Sequence, residues 1–251
     1  MEVHHHPNVE KKNFKEYFLE FLMIFLAVTM GFFAESLREK ISDNEKRAQY
    51  IESLTEDLET DTARINFLLK YDVEKLVALE SMYNCYDTVT KNLKATACMG
   101  ALIKNSKVNK AFQLNDRTIT QLTNAGGFRL LTKQDGDSIL VYQNLYKQYH
   151  DFESTIFQEA QNNVRNTLNE LADFKVVSNI QKVTTLSGID SSSIVLKGPL
   201  LFSGDRILLN KWFNQLQLYV RVTNAQHNII NQLKDKAIVL ISFYKNEHHL
   251  N

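Results

Sequence analysis

Hydrophobic and polar positions along this chain fall into one unbroken apolar block followed by long stretches with helical spacing. The block is Phe21-Leu-Met-Ile-Phe-Leu-Ala-Val-Thr-Met-Gly-Phe-Phe-Ala34, fourteen residues without a charge. Extended to Tyr17 and Leu37 it reaches twenty-one residues, with Glu20 and Glu35 as its only charges, both near the ends. At about 1.5 Å per residue that length matches one hydrocarbon core, roughly 30 Å. The block is apolar on every face, unlike the surface helix of a globular protein.

After the block, apolar residues recur at helical spacing over 41–92: Ile51, Leu54, Leu58, Ile65, Leu68, Leu69, Leu76, Leu79, Tyr83 and Tyr86. Ser42 and Asp43 are candidate caps for a fresh start, but nothing forces a break from the apolar helix. The acidic residues Glu52, Glu56, Asp57, Glu59 and Asp61 read as a solvated face. A mixed region, 94–136, holds a brief helix over 116–124, capped by Asn115 or Asp116 and ended by Gly126-Gly127. A long helix over 138–175 is expected next, with Asp135 or Asp137 as N-cap. Its stripe is Ile139, Tyr142, Leu145, Tyr149, Phe152, Ile156, Val164, Leu168 and Leu171. The stretch 176–204 carries Ser191-Ser-Ser193 and Gly198-Pro199 and reads as irregular, a functional loop or a plain crossover. A last helix over 205–245 places Leu208, Trp212, Leu216, Tyr219, Ile229, Leu233, Leu240 and Tyr244 on one side.

The predicted fold class is therefore all-α. An N-terminal transmembrane helix continues into an elongated antiparallel three- or four-helix bundle, because long amphipathic helices joined by short links hide their stripes against one another. The division is a tail over 1–16, a span over 17–37 and a helical domain over 38–251, with irregular segments 94–136 and 176–204.

Composition strengthens the all-helical reading. The chain has eight glycines and two prolines, and neither residue occurs between Gly31 and Gly100, between Gly136 and Gly188, or after Gly204. Lys+Arg and Asp+Glu balance at 29 each. A nucleic-acid binder usually carries a basic excess, so nucleic acid is not an expected partner. Two cysteines, Cys85 and Cys98, build no metal motif. On one helix they would stand about 20 Å apart, too far to bond, so a disulfide needs a chain reversal between them and free thiols are expected.

The apolar block admits two other readings, a buried core helix and a signal peptide whose cleavage would follow Ala34-Glu-Ser36. The preceding segment mixes Glu2, Glu10 and Glu16 with Lys11, Lys12 and Lys15, which is not a positively biased leader, so an uncleaved anchor is expected. Three basic residues before the span (Lys11, Lys12, Lys15) face four after it (Arg38, Lys40, Lys46, Arg47), so flanking charge does not set its orientation. A short tail before a large domain favours a signal anchor, with the domain outside the bacterial inner membrane. Within the span, Ala27 and Gly31 form a small-xxx-small pair suited to close helix approach. Glu20 is a candidate contact for a basic group on a partner helix, though a carboxylate reaching the headgroups serves as well.

The order of apolar anchor, Ala34-Glu-Ser-Leu-Arg-Glu-Lys40 and Glu52-Ser-Leu-Thr-Glu-Asp-Leu-Glu-Thr-Asp61 resembles a family of single-span, membrane-anchored helical proteins of Bacteroidota-type bacteria, a domain of unknown function. Asn124-Ala-Gly-Gly-Phe-Arg-Leu-Leu131 is similar to that family's small-residue turn, and Phe243-Tyr-Lys-Asn-Glu-His-His-Leu250 to its C-termini. The resemblance covers most of the chain in layout. It implies an anchored envelope protein and transfers no catalytic residue.

Chemistry is sparse. No Gly-rich phosphate loop, HExxH, CxxC or GxSxG occurs. Glu-x-x-His spacing occurs once, at Glu2–His5 in the tail, where a di-iron bundle needs two on core helices, so no enzyme activity, cofactor or metal site is expected. His4-His-His6 and His248-His249 read as tail residues, and His150 and His227 as surface or rim positions. Tyr83, Tyr86, Tyr142, Tyr146 and Tyr149 read as core packing, with a pocket lining as the alternative. Arg129, after Gly126-Gly127, is the candidate ligand or partner contact, since a guanidinium held near a helix end binds carboxylates bidentately. It can equally satisfy helix-end carbonyls. The expected function is a non-enzymatic, membrane-anchored interaction or scaffold protein whose partners are the lipid bilayer and another envelope protein or a second copy. The alternative is a ligand-sensing domain.

Overall fold

A computed structural model describes residues 13–82, 85–92, 110–176, 178, 201–202 and 204–248. They are all-α: α1 (Phe14–Glu80), α2 (Tyr86–Lys91), α3 (Arg117–Asn124), α4 (Lys133–Phe152), α5 (Gln158–Leu171) and α6 (Arg206–His248). A 3₁₀ turn, Gly127–Leu130, precedes α4, and a π-turn, Glu153–Phe157, joins α4 to α5 without a break in the chain's helical path. No strand occurs among the described residues; Ala172 and Leu201 form an isolated antiparallel bridge. The chain divides into two compact units, Met1–Tyr50 and Ile51–Asn251, and α1 belongs to both.

In the first unit α1 opens with the Asn13 N–H donating to the Glu16 carboxylate, 3.2 Å, so the helix reaches into the expected tail. No helix break occurs at Ser42 or Asp43. This is the one helix among the described residues long and apolar enough to cross a membrane, and its most apolar eighteen-residue window is nowhere buried.

The second unit is built on a regular seam. In α1 and the turn after it, Ile51, Leu54, Leu58, Asp61, Ile65, Leu68, Asp72, Lys75, Leu79 and Met82 are all buried, at alternating spacings of three and four. In α6 the same rhythm buries Leu209, Trp212, Leu216, Tyr219, Thr223, Gln226, Ile230, Leu233, Ala237, Leu240 and Tyr244. Such spacing keeps one narrow face toward a neighbouring helix over many turns. Ionisable residues occupy three of the α1 seam positions, so the solvated face expected around Asp57 and Asp61 is corrected: both are buried.

Residue pairs set the chain directions. Lys245 pairs with Glu59 at 3.1 Å, and Lys75 meets Tyr219, so α6 runs antiparallel to α1. Tyr142 bonds Asp61 and Phe157 meets Lys75, so α4 and α5 ascend with α1. The Trp212 indole N–H donates to the Val164 carbonyl at 3.1 Å, and the Tyr244 hydroxyl to that of Asp135 at 3.3 Å, so α6 opposes α4 and α5 as well. One neighbouring pair is thus parallel rather than antiparallel. The physical reason is length: about fifty residues separate α1 from α4, enough to return the chain to its starting end.

Helix ends differ from expectation where side chains compete. α4 starts at Lys133, not 138, because Thr132 and Asp135 form a capping box, each bonding the other's backbone N–H at 3.1 Å. The α3 ending is as expected: Ala125 is the C-cap and Gly126 takes the left-handed conformation, φ 63°, that glycine adopts without strain. Asp205 caps α6 through the Ile207 N–H, 2.8 Å. Cys85 is disulfide-bonded, which corrects the expected free thiol at that residue. Cys98, the His4–His6 run, Tyr83, Ser191–Ser193 and His249 lie outside the described residues.

Candidate functional site

The second unit buries three groups of polar side chains, and each is a different physical solution to a charge in a helical core. The first lies where α1, α3 and α4 meet. Asp57 accepts from the Asn115 amide at 2.8 Å, the Thr118 N–H at 3.0 Å and the Thr118 hydroxyl at 2.5 Å, while Arg117 approaches it at 3.0 Å. The first turn of α3 is therefore capped by a carboxylate from another helix. Asp116, the local N-cap, makes no side-chain cap bond. One turn along α1, Asp61 accepts from the Asn115 N–H, 2.9 Å, and the Tyr142 hydroxyl, 3.0 Å. Burial pushes the Asp61 carboxyl up to about 6 against the pull of those bonds and of Arg64. Asp57 and Asp61 also line a cavity of about 10 Å³ with Leu54, Ile139 and Leu240, at the limit for a single water. This centre fastens 115–118 to α1; its donors are spent on structure.

The second group sits deeper, level with the π-turn. The Lys75 ammonium is 1% exposed and has no hydrogen-bond partner; it lies 4.6 Å from the centroid of the Phe157 ring and 4.7 Å from that of Tyr219. Asp72 is buried one turn before it on α1, and the charges of Lys75 and His227 favour its ionised form, while burial raises its pKa. The same burial lowers the Lys75 ammonium to about 8. Glu153 on the π-turn and Gln226 on α6 are buried too. Gln226 Nε2 and His227 Nδ1 are buried without a hydrogen-bond partner, while His227 as a residue is half-buried, as expected of a rim position. Tyr219 and Tyr149 are held in the phenol form, chiefly by burial and further by the Asp72 charge.

The third group ties the end of α6 to the start of α4: His248 Nε2 stands 3.1 Å from the fully buried Asp135 carboxylate. His248 is thus part of the fold, not of a tail. No cluster of three or more His, Cys, Asp or Glu suited to a metal occurs among the described residues.

The residues singled out from sequence lie elsewhere. Glu20, Ala27 and Gly31 are exposed on α1 in the first unit. Spacings of seven and four put all three on one stripe of that helix, and a Cβ at Gly31 would meet nothing within 4 Å. Arg129, in the second unit, is exposed on the 3₁₀ turn and lines none of the described pockets. Tyr142 and Tyr149 are core residues, Tyr146 is half-buried, and Tyr86 lies 5.0 Å edge-on to Phe213.

Sequence reasoning missed the Lys75 centre entirely. The signal was present in the seam: continuing the spacing of Leu54, Leu58, Ile65 and Leu68 lands on Asp61, Asp72 and Lys75. No protein-family model, curated protein or solved structure matches this chain.

Proposed function

We propose that this chain is a non-enzymatic, membrane-anchored helical interaction protein of the bacterial cell envelope. It is held in the inner membrane by α1, with its C-terminal unit in the periplasm. There it binds another envelope protein or a second copy of itself. One observation carries the reading. One helix, α1, is free of charge over Phe21–Ala34, where its large apolar side chains are mostly exposed, and from Ile51 onward the same unbroken helix supplies buried core residues. An exposed apolar helix is stable in lipid and costly in water. The Cys85 disulfide supports the periplasmic side, because thiols persist reduced in the bacterial cytosol and oxidise outside it. The layout resemblance noted above points the same way.

The test is a pair of fusions after Asn251: alkaline phosphatase, active only outside the cytosol, and a fluorescent protein, bright only inside. Phosphatase activity is expected. Fluorescence without phosphatase activity overturns the location and with it the envelope partner. For the partner role, cross-linking in intact cells is expected to trap a stoichiometric species containing this chain. A purely monomeric result, in cells and after purification, removes the scaffold reading.

A further inference from the structure

We propose that Lys75 is a charge-operated latch on the π-turn: its ammonium, held between the Phe157 and Tyr219 rings, keeps the extra residue of that turn in place, and its neutral form releases it. Buried positions along α4 and α5 include Asp135, Ile139, Tyr142, Tyr149, Glu153, Phe157, Ala160, Val164, Thr167 and Leu171, with Leu168 buried beside Thr167. The steps from Tyr149 to Glu153 to Phe157 are four and four, one residue more than the alternating rhythm of α1 and α6 allows. The π-turn absorbs that residue.

The sequence also supports the path without it. In ordinary helical spacing the stripe Tyr142, Tyr149 and Phe152 leads to Ile156, which the present register leaves 51% exposed while Phe157 is fully buried. Two apolar residues in succession serve two alternative registers, which is what a discrete two-state element requires. A π-turn inside an α-helix is uncommon and persists only where neighbours hold it. Here the neighbour is the Lys75 cation over the ring of Phe157, the last residue of the turn.

Attraction to a ring face depends on the charge, so a neutral amine loses it on both sides. The groups facing Lys75 set when that happens. Asp72 of α1 acts on Lys75 directly, and Phe157 of the π-turn and Tyr219 of α6 cover it. Around them His227 of α6 and Tyr149 of α4 interact with Asp72, Glu153 of the π-turn with Tyr149, and Tyr71 of α1 with Tyr219. Gln161 of α5 bonds the Tyr219 hydroxyl. Burial is the largest influence on Lys75 and favours the amine, while the Asp72 carboxylate favours the ammonium.

The experiment uses the full chain in lipid nanodiscs and two readouts. One is fluorescence of Trp212, the only tryptophan, which is bonded to the α5 backbone. The other is amide exchange over 153–157, corrected for the pH dependence of intrinsic exchange. Between pH 6.5 and 9.5 the wild type is expected to change in both, with a midpoint near 8. Lys75→Met at pH 6.5 is expected to match the wild type at pH 9.5, and Lys75→Arg to hold the low-pH state throughout. If Lys75→Met does not fold, Lys75→Arg decides: a flat response sustains the latch, and a retained wild-type curve overturns it. A wild type that changes in neither readout overturns it equally.

Discussion

Asp61 shows how a single side chain in this core carries a measurable pH dependence. Its carboxylate bonds a backbone N–H and a tyrosine hydroxyl, yet burial dominates and raises its pKa to about 6. The unfolded value is about 3.9, so the folded state binds the proton more tightly. The stabilisation is fully present below about pH 4 and is lost as pH rises toward and through 6. Two pKa units correspond to roughly 3 kcal/mol as an upper scale. Thermal unfolding of wild type and Asp61→Asn at pH 4.5 and 7.5 checks this: the wild type should gain relative to the variant on acidification. An equal difference at both pH values would remove the argument. Asp57, four residues earlier, spends its oxygens capping α3. From sequence the two aspartates were indistinguishable from their exposed neighbours, because burial is decided by the helix that lands on them.

Among the elements, the joined helices α4 and α5 differ most from expectation. Their existence and most of their inward residues follow from apolar spacing, and the start moves because Thr132 and Asp135 outcompete the later aspartate as a cap. The π-turn then shifts the inward face by one residue, from Ile156 to Phe157. Truncating each tests the register directly. Phe157→Ala should cost about 3–5 kcal/mol, as for a large aromatic lost from a packed core, whereas Ile156→Ala should cost under about 1 kcal/mol. Chemical denaturation of both variants measures the difference, and a larger loss at Ile156 would place the wrong residue inside. No periodicity rule anticipates the turn, since a one-residue insertion is invisible when apolar residues stand at both candidate positions.

On the scale of the whole molecule, a helix long and apolar enough to cross a membrane is the property the sequence stated most directly. Placing Phe25→Arg and Val28→Arg together sets two charges near the middle of the span, each costing roughly 2.5–3.5 kcal/mol on insertion. Carbonate-resistant membrane association should fall sharply in this variant and stay intact for Ala48→Arg, which lies beyond the span. Retention by the doubly charged variant would mean that the bilayer is reached by other means. Sidedness had no such direct signal, because three basic residues stand against four.

The exposed apolar helix over 17–37, the all-α class and most apolar inward positions of α1 and α6 were determined by the sequence alone, although in α6 full burial falls on Leu209 and Ile230 rather than on their neighbours Leu208 and Ile229. Each rests on local quantities: a run without charges, few helix breakers and a repeated spacing of apolar residues. Tertiary structure decided which polar residues are buried, that α1 and α4 run parallel, that α3 is capped from another helix, and that Lys75 stands between two aromatic rings. Those features depend on which residues, separated by as many as 144 positions for Lys75 and Tyr219, arrive at the same place. A one-dimensional pattern shows that a face must be covered; only the packed helices show by what.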